Sequence, residues 1–196
     1  AYFPILLPLR VQHAIEASQE RRRHGMSKEN LELRIRECWN EVNTSGATPQ
    51  KKGRLLEELL EHLFHTIPGL NTCKRNRKGK SEEFDLVIRN ESDDPLFSKE
   101  GSQIIVECKH WKNKVDPETV GSFRSKLRNR YQRVRLGILV AMNDYTPGAQ
   151  STHFNNEEQI VLLLNKKHLE QWIQATDRKN WLKESLEAII LRQPLP

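Results

Sequence analysis

The chain has 196 residues, 30% of them charged, and a formal net charge of +6. That length holds one ordinary domain with a good core plus an appended helical arm, and two full domains would be cramped. A mean hydropathy of −0.73 argues for a soluble protein, apolar residues clustered in periodic blocks exclude disorder throughout, and the basic balance favours a polyanionic partner, nucleic acid first.

The opening AYFPILLPLR is apolar but short, carries two prolines and has no basic leader, so neither a spanning helix nor a signal peptide is expected. The chain lacks an initiating Met, and we expect it to be a piece of something longer. VQHAIEASQERRR suits a charged helix from Val11 to about Arg23, broken at His24-Gly25. Ser27 then caps a second helix, in which Leu31, Ile35, Cys38, Trp39 and Val42 recur on one face. Thr48-Pro49 starts a third helix, which ends before Pro68-Gly69.

Beyond it the period shortens. LNTCKR, EEFDLVIRN and QIIVECK read as strands, with ESDDPLFSKEGS as a long exposed loop between the last two. A helix from Pro117 to about Gln132, a strand LGILVAM, a turn at Pro147-Gly148 and a strand QIVLLL follow. Two amphipathic helices close the chain. They are built on Leu169, Trp172 and Ile173, and then on Trp181, Leu182, Leu186, Ile189 and Ile190.

This order implies an α/β domain with one mixed five-stranded sheet covered by helices. The first three strands are too closely connected for crossovers and should form an antiparallel meander, with parallel pairing after the helix at Pro117. The working division is a helical arm or linker over 1–47 and a domain over 48–196.

Three cysteines, Cys38, Cys73 and Cys108, match no zinc spacing, and their odd number rules out a complete disulfide framework. A reducing cytoplasm is the expected location. His13, His24, His62 and His65 form no metal-ligand pattern in sequence.

The informative stretch is IIVECKHWKNK, Ile104 to Lys114, where an apolar strand runs into alternating charges. Glu107 and Lys109 share one face, with Cys108 opposite. Either the strand simply leaves the core there, or the two charges converge on something. In the strand before it, Asp85 stands between Phe84 and Leu86-Val87-Ile88, an odd place for an acid, and adjacent antiparallel strands could set it beside Glu107. Two close carboxylates repel unless a cation lies between them, and hard oxygen donors suit magnesium. On the third helix, Glu57 flanks the leucine stripe and is the acid best placed to look along the sheet edge.

Glu57 after Gly53, Asp85 on a strand and Glu107-Cys108-Lys109 on the next strand together resemble the PD-(D/E)XK nuclease superfamily, with its restriction-endonuclease-like three-layer fold. More narrowly, GRLLEELLEHLF, EEFDLVI, IIVECKHW, VGSF, LGILVAMNDYTPGA and QIVLLL look like the Mrr-like branch found in type IV restriction enzymes and related defence proteins. The likeness covers about Lys52 to Ala175. It implies a magnesium-dependent phosphodiesterase, manganese serving as a substitute. Asp85 and Glu107 would be metal ligands and the Cys108 carbonyl a third. Lys109 would orient or activate the attacking water and stabilise charge on the phosphorane, with Glu57 supporting the metal or its water. Phe84 stands where the motif has proline, and Glu107 where many Mrr-like sequences have glutamine.

Around this set lie candidate DNA contacts. Lys74, Arg75, Arg77, Lys78 and Lys80 form the basic run KRNRKGK, which is either a phosphate grip or a solvated hairpin loop. His110 follows Lys109, and Arg124, Lys126, Arg128, Arg130 and Arg133 make the next helix basic enough to track a backbone. The expectation is a magnesium-dependent DNA endonuclease, the effector of a prokaryotic restriction or anti-phage protein. Cutting both strands would call for a homodimer or higher oligomer, and a sensing or recognition domain would lie outside this chain. The rivals are a non-catalytic nucleic-acid-binding module of the same fold and a structure-specific DNA resolvase.

Overall fold

A computed structural model describes residues 27–44, 46–78, 83–129, 134–152 and 159–196. The charged helix expected over 11–23, Lys80, Arg130 and Arg133 lie outside these residues. The order is α1 (Lys28–Asn43), α2 (Pro49–His65), β1 (Leu70–Lys78), β2 (Glu83–Asn90), a 3-10 turn (Phe97–Lys99), β3 (Gln103–Lys109), α3 (Pro117–Arg128), β4 (Leu136–Ala141), α4 (Pro147–Ser151), β5 (Ile160–Asn165), α5 (Lys166–Gln174) and α6 (Arg178–Ile190). The helix starts follow local chemistry. The Ser27 Oγ accepts from the Asn30 N–H, and the Thr48 hydroxyl accepts from the Lys51 N–H ahead of Pro49, each satisfying a donor that the first helical turn leaves open.

The five strands form one sheet in the order β1-β2-β3-β4-β5. The β1/β2 and β2/β3 pairs are antiparallel, and β3/β4 and β4/β5 are parallel. The meander followed by parallel pairing is thus as the connection lengths require. β1 runs three residues further than the sequence pattern suggests, so Lys74 to Lys78 belong to a strand paired with β2 and not to a loop.

Alternation along the strands divides the core into two layers. On one face Leu86, Ile88, Ile104, Val106, Ile138, Val140, Leu162 and Leu164 pack against α1, α2, α5 and α6. On the other, Ile105, Leu139, Val161 and Leu163 meet Val120, Phe123 and Leu127 of α3 and Ala149 of α4. α1 contributes Ile35, Cys38 and Val42 to the first layer, and its Glu32 pairs with Arg178 at the start of α6 through contacts of 2.5 and 2.8 Å.

A side chain at Gly137 would place its Cβ 2.4 Å from Leu127 Cδ1 and 2.8 Å from Phe123 Cε1. The bare backbone there lets α3 lie directly on β4.

Two loops depart from expectation. The segment between β2 and β3 is not simply exposed, because Phe97, Asp94 and Glu100 are buried. The Asn90 side-chain amide donates to the Phe97 and Gly101 carbonyls and ties the loop down. The Pro147-Gly148 turn is the first turn of α4, whose cap is the Thr146 hydroxyl accepting from the Ala149 N–H. Among the described residues no helix is long and apolar enough to cross a membrane.

Candidate active site

The antiparallel ladder between β2 and β3 ends at Leu86↔Val106, whereas β3 stays paired with β4 as far as Lys109↔Ala141. Continued register would give the Cys108 N–H to the Phe84 carbonyl, but the β2/β3 pairing stops at Leu86 while β2 stays paired with β1 as far as Glu83. β2 therefore splays from β3, and the donor left open at Cys108 is taken by the Asp85 carboxylate at 2.6 Å. A side chain replaces a ladder bond, and that places Asp85 in a notch beside Glu107.

Asp85, Glu107 and Lys109 alternate with core residues that face the α1/α2 layer, so all three side chains lie on the α3 side of the sheet. Glu107 is buried, with 6% exposure. Lys109 Nζ lies 2.6 Å from its Oε1, and Lys126 Nζ of α3 lies 2.8 Å from its Oε2. The Trp111 ring sits under the Lys109 ammonium at 4.8 Å, and the Phe84 ring lies 5.8 Å from the Lys126 ammonium. Burial pushes the Asp85 carboxyl above the usual range. The Cys108 N–H opposes that shift, Glu107 adds like-charge repulsion, and Lys109 and Lys126 offset part of it.

Cys108 points the other way, packing against the α1/α2 layer. Burial, and then the charges of Asp85, Glu57 and Glu107, drive its thiol well up, so it is a poor nucleophile. Glu57 is buried on α2, while Glu58 and Glu61 are half-buried. The Glu57 charge is felt at Cys108, which brings this helix acid close to β3.

The candidate DNA contacts divide. Lys126 belongs to the carboxylate cluster. His110 is half-buried directly after β3. Arg124 is 3% exposed, and its guanidinium donates to the Gln159 and Thr152 carbonyls at 3.1 and 2.8 Å. It is not presented to a phosphate, and its place at the centre of the Val120, Arg124, Leu127 stripe is the sequence signal for that. Tyr145 is likewise structural. Its buried hydroxyl lies 2.5 Å from the Leu139 carbonyl and 3.2 Å from that of Leu164.

A mixed sheet with a buried carboxylate and lysine cluster at the splayed end of its central strand defines a domain of the PD-(D/E)XK type. Residues 50–173 match the Mrr_cat restriction endonuclease family, and the chain belongs to that family. No curated protein matches. Among solved structures, the chain is similar to an ATP-dependent Type ISP restriction-modification enzyme, LlaBIII, bound to DNA. The identity is 21% and the TM-score 0.47, over 72% of this chain and 9% of that one. It is also similar to a repair endonuclease from Pyrococcus abyssi (20%, TM-score 0.40, 63% of this chain and 49% of that one). A third likeness is to EndoMS in a complex with double-stranded DNA (22%, TM-score 0.41, 63% and 47%). The chain thus spans less than half the length of each of these proteins.

Proposed function

We propose that this chain is a divalent-metal-dependent DNA endonuclease, with Asp85, Glu107, Lys109 and Glu57 as its working residues. The observation that carries the reading is the notch at Cys108, where two carboxylates and an ammonium converge on one side of a rigid strand. Family membership supports the same class of chemistry.

The residues fit a hard divalent cation. The Asp85 and Glu107 carboxylates are oxygen donors, and the Asp85 carboxyl, raised chiefly by burial, is an acid whose charged form a bound cation would favour. Paired residues in an antiparallel ladder exchange N–H and C=O bonds on the same side, so the Cys108 carbonyl faces the notch with its N–H and would be the third donor. Magnesium, or manganese in its place, would lower the pKa of a bound water and neutralise phosphate charge.

The protein's own part is positional. The Cys108 N–H fixes Asp85, and the Trp111 ring holds the Lys109 ammonium close to Glu107. From there Lys109 meets the charge that builds on phosphorus as water adds and the bond to the leaving oxygen breaks. Lys126 supplies a second positive centre, able to leave Glu107 for a phosphate oxygen. Duplex cleavage needs two such sites, so the active species is a homodimer or larger assembly. Its coupling to a sensing domain outside this chain would make it the effector of a restriction or anti-phage protein.

The test is magnesium-dependent cleavage of plasmid DNA by the native chain, by Asp85→Ala and by Lys109→Ala, with circular dichroism as the folding control. Loss of at least about 100-fold in both variants is expected. Equal cleavage by all three sinks the assignment. DNA binding without cleavage by any of them favours a binding module, and cleavage restricted to branched DNA favours a resolvase.

A further inference from the structure

A second constellation lies outside the nuclease notch, between α1 and α2. Cys38 of α1 is buried in the core, and Glu58 and His62 of α2 are four residues apart and share one helix face. A sulfur, a carboxylate oxygen and an imidazole nitrogen from these three residues all lie within 4.8 Å of one another. Both ring nitrogens of His62 are buried with no hydrogen-bond partner. The Glu58 Oε1 stands 3.6 Å from its Nε2, beyond normal hydrogen-bond length. Buried ring nitrogens without a hydrogen bond are unusual in a finished core and call for an explanation.

We propose that Cys38, Glu58 and His62 form a zinc site that clasps α1 to α2, with water in the fourth position. The donor set is of the kind zinc takes, one thiolate, one imidazole and one carboxylate, and sulfur with nitrogen selects zinc over magnesium or calcium. The Cys38 thiol would bind as thiolate, its proton passing to solvent. Arg34 also donates to Glu58, and its other arm holds Glu37. Arg34 now holds Oε1, the Glu58 oxygen that faces His62, and in the loaded site it would move to Oε2 and orient the carboxylate from there, as the partners of metal-bound carboxylates do. No linear spacing announces such a site, because Cys38 reaches the other two only through the α1/α2 packing. Glu57 immediately precedes Glu58 and faces the sheet, so the clasp would also steady the turn that presents Glu57. The zinc site stands independently of the nuclease reading.

Cobalt(II) titration of the chelator-treated full chain tests it, because only a thiolate ligand gives a sulfur-to-cobalt charge-transfer band. The expected result is one equivalent of cobalt with that band, displaced by zinc. Cys38→Ala should abolish the band, Cys73→Ser should leave it, and His62→Gln should weaken binding more than about 10-fold, the least that losing even an outer partner costs. Should Cys38→Ala fail to fold, by circular dichroism, the His62→Gln titration decides. No band in the folded native chain, a band that survives Cys38→Ala, or unchanged affinity in His62→Gln overturns the proposal. Those outcomes leave an Arg34–Glu58 ion pair beside a bystander imidazole.

Discussion

Two buried carboxylates in this molecule are each gripped by a pair of lysines, and they do different things. Asp94 lies 3.2 Å from both Lys179 and Lys183 of α6. Glu107 lies 2.6 and 2.8 Å from Lys109 and Lys126. Their side chains are almost equally covered, at 7% and 8% exposure. The neighbours make the difference. Asp94 also accepts the Leu96 N–H, closing the loop before β3 onto α6. Burial works against its charge, but that N–H and the two lysines outweigh it and hold the Asp94 carboxyl below the usual range. Glu107 has a second acid, Asp85, at its side, and that Asp85 carboxyl is pushed up, chiefly by burial, with repulsion from Glu107 adding to it. Asp94 with its two lysines ties a loop to a helix, whereas the cluster at Glu107 sets two acids against two lysines at the open end of β3.

Glu107→Gln makes the largest test of that contrast. It keeps the shape while removing one of the two acids proposed to hold the metal, and plasmid cleavage in magnesium should fall by at least about 100-fold in a chain that still folds by circular dichroism. Asp94→Ala should do the reverse. Losing a charge-assisted bond to the backbone and two ion-pair partners should cost about 2 kcal/mol in urea unfolding, with specific activity of the folded fraction retained. A cleavage defect in Asp94→Ala would break the comparison.

The smallest effect is in pH dependence, and its sign differs between the two acids. The Asp85 pKa is raised on folding, so its charged form destabilises the metal-free chain. That cost is fully present above the folded pKa and relieved as pH falls below the unfolded value near 3.8. The lowered Asp94 pKa contributes stability above the unfolded value, which is lost as pH falls through the folded one. Thermal midpoints across the acid range should therefore rise with pH more steeply in Asp85→Asn than in the native chain. An unchanged slope would mean that Asp85 is solvated normally.

Much of the fold was legible because each signal was local. Connection lengths dictate the meander, the apolar runs IIV and LGILVA mark β3 and β4 as interior strands, and Ser27, Thr48 and Pro49 mark helix starts. The missed features were those that only packing decides. Lys126 reads as one more basic residue on a basic helix, and nothing in its spacing says that α3 will set it on Glu107. Phe97 and Asp94 sit in a polar stretch whose burial depends on Asn90 bonding across the loop. Asp85 could be placed beside Glu107 by register alone, but its capture of the Cys108 N–H required the ladder to stop, which no residue pattern announces.

The bare backbone at Gly137 is a gauge as well as a contact. It fixes how high α3 rides above the sheet, and so how far the Lys126 ammonium must reach to meet Glu107. A residue with no side chain and no chemistry thereby sets the charge balance of a cluster on the neighbouring strand. Thickening the sheet there by one methyl group would lengthen one arm of that cluster while leaving Lys109, carried on β3 itself, where it is.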